Sequence, residues 1–284
     1  MPRTKQGRRT RANGSTSAKV ATRSCAQNRA IVVCSARSVR CRALQSRPVA
    51  TKLAAAPKRR GHSTSATSSG RSGWGARTLT TKGIIALDAD GVLLDYGLAY
   101  ASAWQKAFGT YPGERDPLAY WPIDRWEVER VEGDRLDLLR RAFDNEFWSS
   151  IPPVPGAIEA CHKLAAAGYE LVCVTALPAE FRAAREHNLR LHGFPIHLVH
   201  ATDNVATAAS PKADTLNSLK PIAFVDDYLP YFVGVDAAIH RALILRGITG
   251  SPNAGDLLVH TDSHHADLLA FANWWSQRAG DKCR

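Results

Sequence analysis

Four short segments of the chain end in residues whose types, taken together, suit phosphoryl transfer. The first, Ile84-Ile85-Ala86-Leu87, delivers Asp88-Ala89-Asp90-Gly91-Val92. Then come Leu171-Val172-Cys173-Val174-Thr175, Lys212 behind Ser210-Pro211, and Ile222-Ala223-Phe224-Val225-Asp226-Asp227. The strand-like runs each end in a polar group, so three strand ends can converge on one point. A phosphoryl-transfer site needs such a convergence: a nucleophile, an acid, a hydroxyl, an ammonium and a cage of hard oxygens for a cation.

The elements that must hold these groups follow from apolar patterning. From residue 83 onward, short apolar runs alternate with helical patterns, and strands are expected at 84–88, 170–175, 196–200, 222–226 and 242–246. Helices are expected from Pro155 to Ala167, with Gly168 as the stop, and from Pro211 to Leu219, with Ser210 as N-cap. Continuous rather than alternating apolar runs imply strands buried on both faces, hence an α/β fold: a Rossmann-like parallel sheet with helices on each side. Ligands of such sheets bind outside the carboxyl ends of the strands, where Asp88, Thr175, Asp226 and Asp227 fall.

One interval is too long for a connection. Between Asp95 and Pro152 the chain is dense in aromatics and charges, and Leu136, Leu139, Phe143 and Phe147 recur at helical spacing. A structureless loop of that length does not suit a compact domain. The expected organisation is therefore an α/β core over 83–95 and 152–284, a small helical cap over 96–151, and a separate segment 1–80.

That segment carries the chain's charge. The formal net charge is +11, yet residues 1–82 hold 19 of the 37 Lys and Arg and no acidic residue. The remaining 202 residues hold 18 basic against 26 acidic groups, a balance of −8. The folded part is thus acidic, and nucleic acid is expected as a partner only through the basic tail. Three readings of the tail stay open: a disordered basic extension, an organelle transit peptide, and a nucleic-acid-binding arm. A cytoplasmic location is expected, or an organelle if the tail is a transit peptide. No apolar stretch approaches 18 residues and no secretory pattern is present, so no membrane partner is expected. The six cysteines include no CxxC pair, which argues against a zinc site or a disulfide framework.

The order Asp-Ala-Asp-Gly-Val-Leu-Leu-Asp, Thr175, Lys212 and Asp226-Asp227 resembles the four motifs of the haloacid dehalogenase superfamily, over residues 83 to about 275. The resemblance implies a phosphatase-like member whose helical cap follows the first motif. It implies Asp88 as nucleophile forming an aspartyl-phosphate, and Asp90 as general acid and base. Asp90 favours phosphate esters over haloacids, because a halide leaves without a proton. Thr175 would donate its hydroxyl to a phosphoryl oxygen, and Lys212 would neutralise charge building there. The rival Lys220 precedes the strand 222–226, about 15–20 Å from Asp227 at 3.3 Å per residue, whereas Lys212 opens the preceding helix at the carboxyl end.

Mg²⁺ is the implied cofactor, held by Asp88, the backbone carbonyl of Asp90, and Asp227, with Asp226 behind it. The implied reaction is hydrolysis of a small soluble phosphomonoester. Phe147-Trp148, Pro152-Pro153-Val154-Pro155-Gly156 and Val225-Asp226-Asp227 are reminiscent of the 5'(3')-deoxyribonucleotidases, which supplies a nucleotidase as the alternative. A reading of another class is a weakly active binding protein whose tail docks on nucleic acid. Blander roles are weighed beside these: His264-His265 read as solvated or structural, and the cap aromatics as the cap's own core.

Overall fold

Hydrophobic burial drives the sheet to the centre of the fold. The computed structural model describes residues 81–204 and 208–281; the expectations for residues 1–80, and for Cys25, Cys34, Cys41 and Cys283, lie outside them. Six strands run in parallel: β1 Ile84–Leu87, β2 Glu170–Thr175, β3 Val199–Ala201, β4 Ala223–Asp226, β5 His240–Ile244 and β6 Ser263–His265. Their order is β3-β2-β1-β4-β5-β6. The chain thus builds outward from β1 on one side, then crosses to β4 and builds outward on the other. That reversal, between β1 and β4, is where a doubly wound sheet opens a crevice at its carboxyl edge.

Both faces of the sheet are covered, as the continuous apolar runs require. On one face Ala86, Val172, Val174, Phe224 and Leu243 pack with Leu216 of helix α7 (Ala213–Leu219) and with Leu229 and Phe232 of the turn after β4. The alternate residues Ile85, Leu87, Leu171, Cys173 and Val225 face the other way and are also buried. Helices α5 (Ala157–Ala166) and α8 (Leu268–Asp281) pack against each other, burying Cys161, Leu164, Phe271 and Ala272. Helix α6 (Arg182–Leu191) links β2 to β3.

Between β1 and α5 lies the helical insert: α1 (Tyr96–Phe108), α2 (Pro122–Arg125), α3 (Gly133–Ala142) and α4 (Asn145–Trp148). Asp95 caps α1 by accepting from the Leu98 N–H at 2.8 Å. Its aromatics pack on one another: Phe143 meets Phe147 at 4.9 Å between ring centroids, and Tyr96 stacks on Trp148 at 6.0 Å.

Four local expectations differ from the fold. The spacing of Leu136 to Phe147 reads as one helix, but the chain breaks at Phe143 and restarts where the Asp144 carboxylate caps the Phe147 N–H at 3.1 Å. Helix α7 begins at Ala213 rather than Pro211, because the Ser210 hydroxyl accepts from the Lys212 N–H at 3.1 Å in a tight turn before the helix. Strand β3 starts at Val199, three residues later than expected. Strand β5 starts at His240, before its apolar run, because His240 and Arg241 pair with Ala223 and Phe224 of β4. The edge strand β6 carries no apolar run at all, so only its pairing to β5 defines it. His264 and His265 therefore lie in a strand.

Candidate active site

The backbone brings the first and fourth motifs side by side. Strand β1 pairs with β4 so that Leu87 lies opposite Val225, and the Asp88 N–H donates to the Val225 carbonyl at 2.9 Å. Continuing that register sets Asp88 beside Asp226. On the other flank Leu87 lies opposite Cys173, so Thr175 ends β2 one step beyond Asp88. Asp88, Thr175, Asp226 and Asp227 are all buried at this carboxyl edge.

Lys212 reaches the same point. Its side chain is wholly buried, and Nζ donates to Asp88 Oδ1 at 2.5 Å and to Asp226 Oδ2 at 2.6 Å. Nζ also lies 4.5 Å from the Tyr231 ring centroid. Burial by itself would push this ammonium down, but the carboxylates of Asp226 and Asp88 outweigh it and hold it raised, so Lys212 stays charged. Lys220, in contrast, caps the exposed far end of α7 in the left-handed region.

Asp88, Asp226 and Asp227 each offer a carboxylate oxygen, all within 4.8 Å of one another and all in buried residues. Burial pushes Asp226 well up, against Lys212, and Asp88 and Asp227 push it further. Burial also raises Asp227, against Arg246. Three carboxylates crowded out of water favour an added cation, and an all-oxygen set suits a hard one such as Mg²⁺. Both oxygens of Asp226 are already engaged, Oδ2 by Lys212 and Oδ1 by the Tyr228 N–H at 2.8 Å. Arg246 Nε takes only Oδ2 of Asp227, at 2.5 Å.

Gly91 makes this packing possible. Its φ is +90°, and a Cβ there would run into Asp227 Oδ2 and Arg246 Nε. Asp90 faces a different partner: Arg185 Nη2 donates to its two carboxylate oxygens at 2.7 and 3.0 Å. Partial removal from water raises the Asp90 carboxyl, against the attraction of Arg185, and Asp88 adds to the rise. The Asp90 side chain lies outside the three-carboxylate cluster. The Thr175 carbonyl is held by the Thr202 N–H at 3.0 Å, which ties β3 to the site edge.

The patterns of the sequence do not single out Arg185, Arg246, Tyr120, Tyr231 or Asn253. Arg246 follows the apolar run of β5 at a strand's carboxyl end, so the rule that picks out Asp88 and Thr175 applies to it as well. Tyr120, from the insert, donates its hydroxyl to the Asp227 carbonyl at 3.0 Å and lies under the Arg246 guanidinium at 4.4 Å. Asn253 donates to the same carbonyl at 2.7 Å. The contacts of Tyr120 with Asp227 and Arg246 join positions 107 and 126 residues apart, which no local pattern records.

Known proteins resemble this chain over part of its length. Residues 82–210 match the family described as "5' nucleotidase, deoxy (Pyrimidine), cytosolic type C protein". A provisionally named 5'(3')-deoxyribonucleotidase of Bordetella bronchiseptica is 34% identical over 97 residues, covering 33% of this chain and 50% of that one. Its counterpart in Bordetella pertussis is 33% identical over the same length. The chain thus spans about half the length of the curated relatives it matches. Among solved structures, a HAD family hydrolase of Deinococcus radiodurans with bound phosphate and sodium aligns with a TM-score of 0.47 at 14% identity, over 69% of this chain and 96% of that one. The family match thus spans 129 of the 284 residues and two of the four motifs, and all four motifs gather at the carboxyl edge of one parallel sheet.

Proposed function

We propose that the protein is a Mg²⁺-dependent phosphatase that hydrolyses a small phosphomonoester through an aspartyl-phosphate on Asp88. The observation that carries this reading is the buried contact of Asp88 with Lys212 at 2.5 Å, inside a cluster of carboxylates that could hold a cation. With Asp90 protonated for its part as acid, the carboxylates Asp88, Asp226 and Asp227 face three cations, Lys212, Arg185 and Arg246, a formal balance of 0. A divalent ion turns that balance to +2, which offsets a phosphate dianion.

Asp88, Asp227 and the Asp90 carbonyl would hold the metal, and when bound it supplies charge stabilisation at the phosphoryl group. An Asp88 oxygen attacks phosphorus, and the bond to the ester oxygen breaks. Asp90 gives its proton to the departing alcohol oxygen. Asp90 then takes a proton from the attacking water, whose oxygen bonds phosphorus and frees Asp88 and inorganic phosphate. Lys212 orients Asp88 through its 2.5 Å contact, and Thr175 donates its hydroxyl to a phosphoryl oxygen.

The substrate we favour is a nucleoside monophosphate. The support is the match over residues 82–210 and the names carried by the Bordetella relatives. We read residues 96–151 as a cap over the site; Tyr120 of this insert touches Asp227, and Trp121 meets Tyr228 at 6.1 Å between centroids. Phosphate release from a panel of nucleoside and sugar monophosphates, with and without Mg²⁺, tests the reading. Release that is Mg²⁺-dependent and greatest on deoxyribonucleotides supports it; no release from any ester contradicts it.

A further inference from the structure

Among the described residues, Arg185 is a buried cation with unmet hydrogen-bonding capacity. It sits on α6, its exposure is 0%, and its Nε and Nη1 are buried without a hydrogen-bond partner. A guanidinium in that position forfeits hydration that its two bonds to Asp90 only partly replace. An apolar side chain of similar size would fill the same space without that cost, so packing alone does not account for an arginine here.

Its contacts give a different account. Nη2 lies between the two Asp90 oxygens, at 2.7 and 3.0 Å, which fixes the rotation of the carboxylate as well as its place. The guanidinium is itself fixed, with Cζ 5.2 Å from the Trp148 ring centroid. One turn along α6, Asn188, also wholly buried, donates Nδ2 to the Trp148 carbonyl at 3.3 Å. Trp148 in turn donates Nε1 to the Phe143 carbonyl at 3.0 Å. A continuous set of contacts thus runs from the aromatic cluster of the insert, through α6, to the Asp90 carboxylate.

We propose that Arg185 is a positioning residue: it holds the Asp90 carboxylate in the orientation needed to reach the ester oxygen, anchored by Trp148 of the insert. This rests on the proposed role of Asp90 in proton transfer. Asp90 keeps 29% of its side chain exposed, so losing Arg185 leaves its carboxylate hydrated rather than stranded. Arg185→Met should therefore fold.

The test compares wild type, Arg185→Met and Arg185→Lys on two esters, a nucleoside monophosphate and an activated aryl phosphate. The alkoxide leaving group of the first needs a proton from a correctly oriented acid, whereas the aryl leaving group needs little. Arg185→Met should lose at least about tenfold more kcat/KM, which reports the step that expels the alcohol, on the nucleotide than on the aryl ester. Arg185→Lys, a point charge without the planar fork, should recover part of that selective loss. Equal losses on both esters would overturn the proposal and leave Arg185 a structural residue.

Wild-type protein inactive on both esters would refute the proposed reaction instead. Positioning is then read from a crystal structure of Arg185→Met, or of Arg185→Lys if the Met variant does not fold. A rotated Asp90 carboxylate agrees with the proposal; an unmoved one overturns it.

Discussion

Lys212 Nζ bridges Asp88 and Asp226, at 2.5 and 2.6 Å, at the ends of the two strands between which the order of strand addition reverses. The ammonium is wholly buried against both carboxylates. Lys212→Met would leave both charges buried without that partner, and loss of one member of a buried pair typically costs about 3–5 kcal/mol. The variant's stability deficit in urea should be largest at neutral pH without metal, and should shrink as acid protonates the carboxylates. A deficit independent of pH and of added Mg²⁺ would show that Lys212 only packs.

The unequal engagement of the two adjacent aspartates predicts unequal effects on metal binding. Asp226 spends both oxygens on Lys212 and the Tyr228 N–H, whereas Arg246 bonds one oxygen of Asp227. Asp226→Asn should therefore weaken Mg²⁺ by about 10–100-fold, as for residues that orient a ligand. Asp227→Asn should weaken it more. Calorimetric titration of Mg²⁺ into each variant reads the order, and the reverse order would exchange the two roles.

At the sheet edge, Ser263 Oγ lies 2.8 Å from His240 Nε2 and 2.9 Å from His265 Nε2. Burial lowers both imidazole pKa values below the ordinary 6.5, and each cationic neighbour lowers them further. The unfolded chain therefore takes up protons that the folded one resists. Stability should be constant above about pH 7 and fall as pH drops through 6.5 toward the lowered folded-state values. The double variant His240→Gln/His265→Gln should flatten the Tm difference between pH 7.5 and 5.5. An unchanged slope would mean that these histidines titrate normally.

The sheet was legible in the sequence because its strands are buried on both faces and read as continuous apolar runs. The principal motif residues fall at strand ends, where position alone marks them. Strand β6 was not legible, because Ser263-His264-His265 takes its conformation from pairing to β5 rather than from burial. The break at Phe143 was not legible either, since Asp144 caps a new turn within an unbroken apolar period. The partners that surround the motifs were the least visible. Arg185 and Asn188 share the buried face of α6 with Ala184 and Leu189, so a helical pattern by itself places polar residues where apolar ones belong. Their reason for being there comes from Asp90 and Trp148, which other segments supply.

The central claim is that Asp88 carries the phosphoryl group. Steady-state hydrolysis of the preferred monophosphate by wild type and Asp88→Asn, in saturating Mg²⁺ and with folding checked by circular dichroism, tests it most directly. The amide is nearly isosteric but a poor nucleophile, so turnover should be abolished while the fold is kept. An Asp88→Asn protein that retains a tenth of wild-type activity would contradict the account.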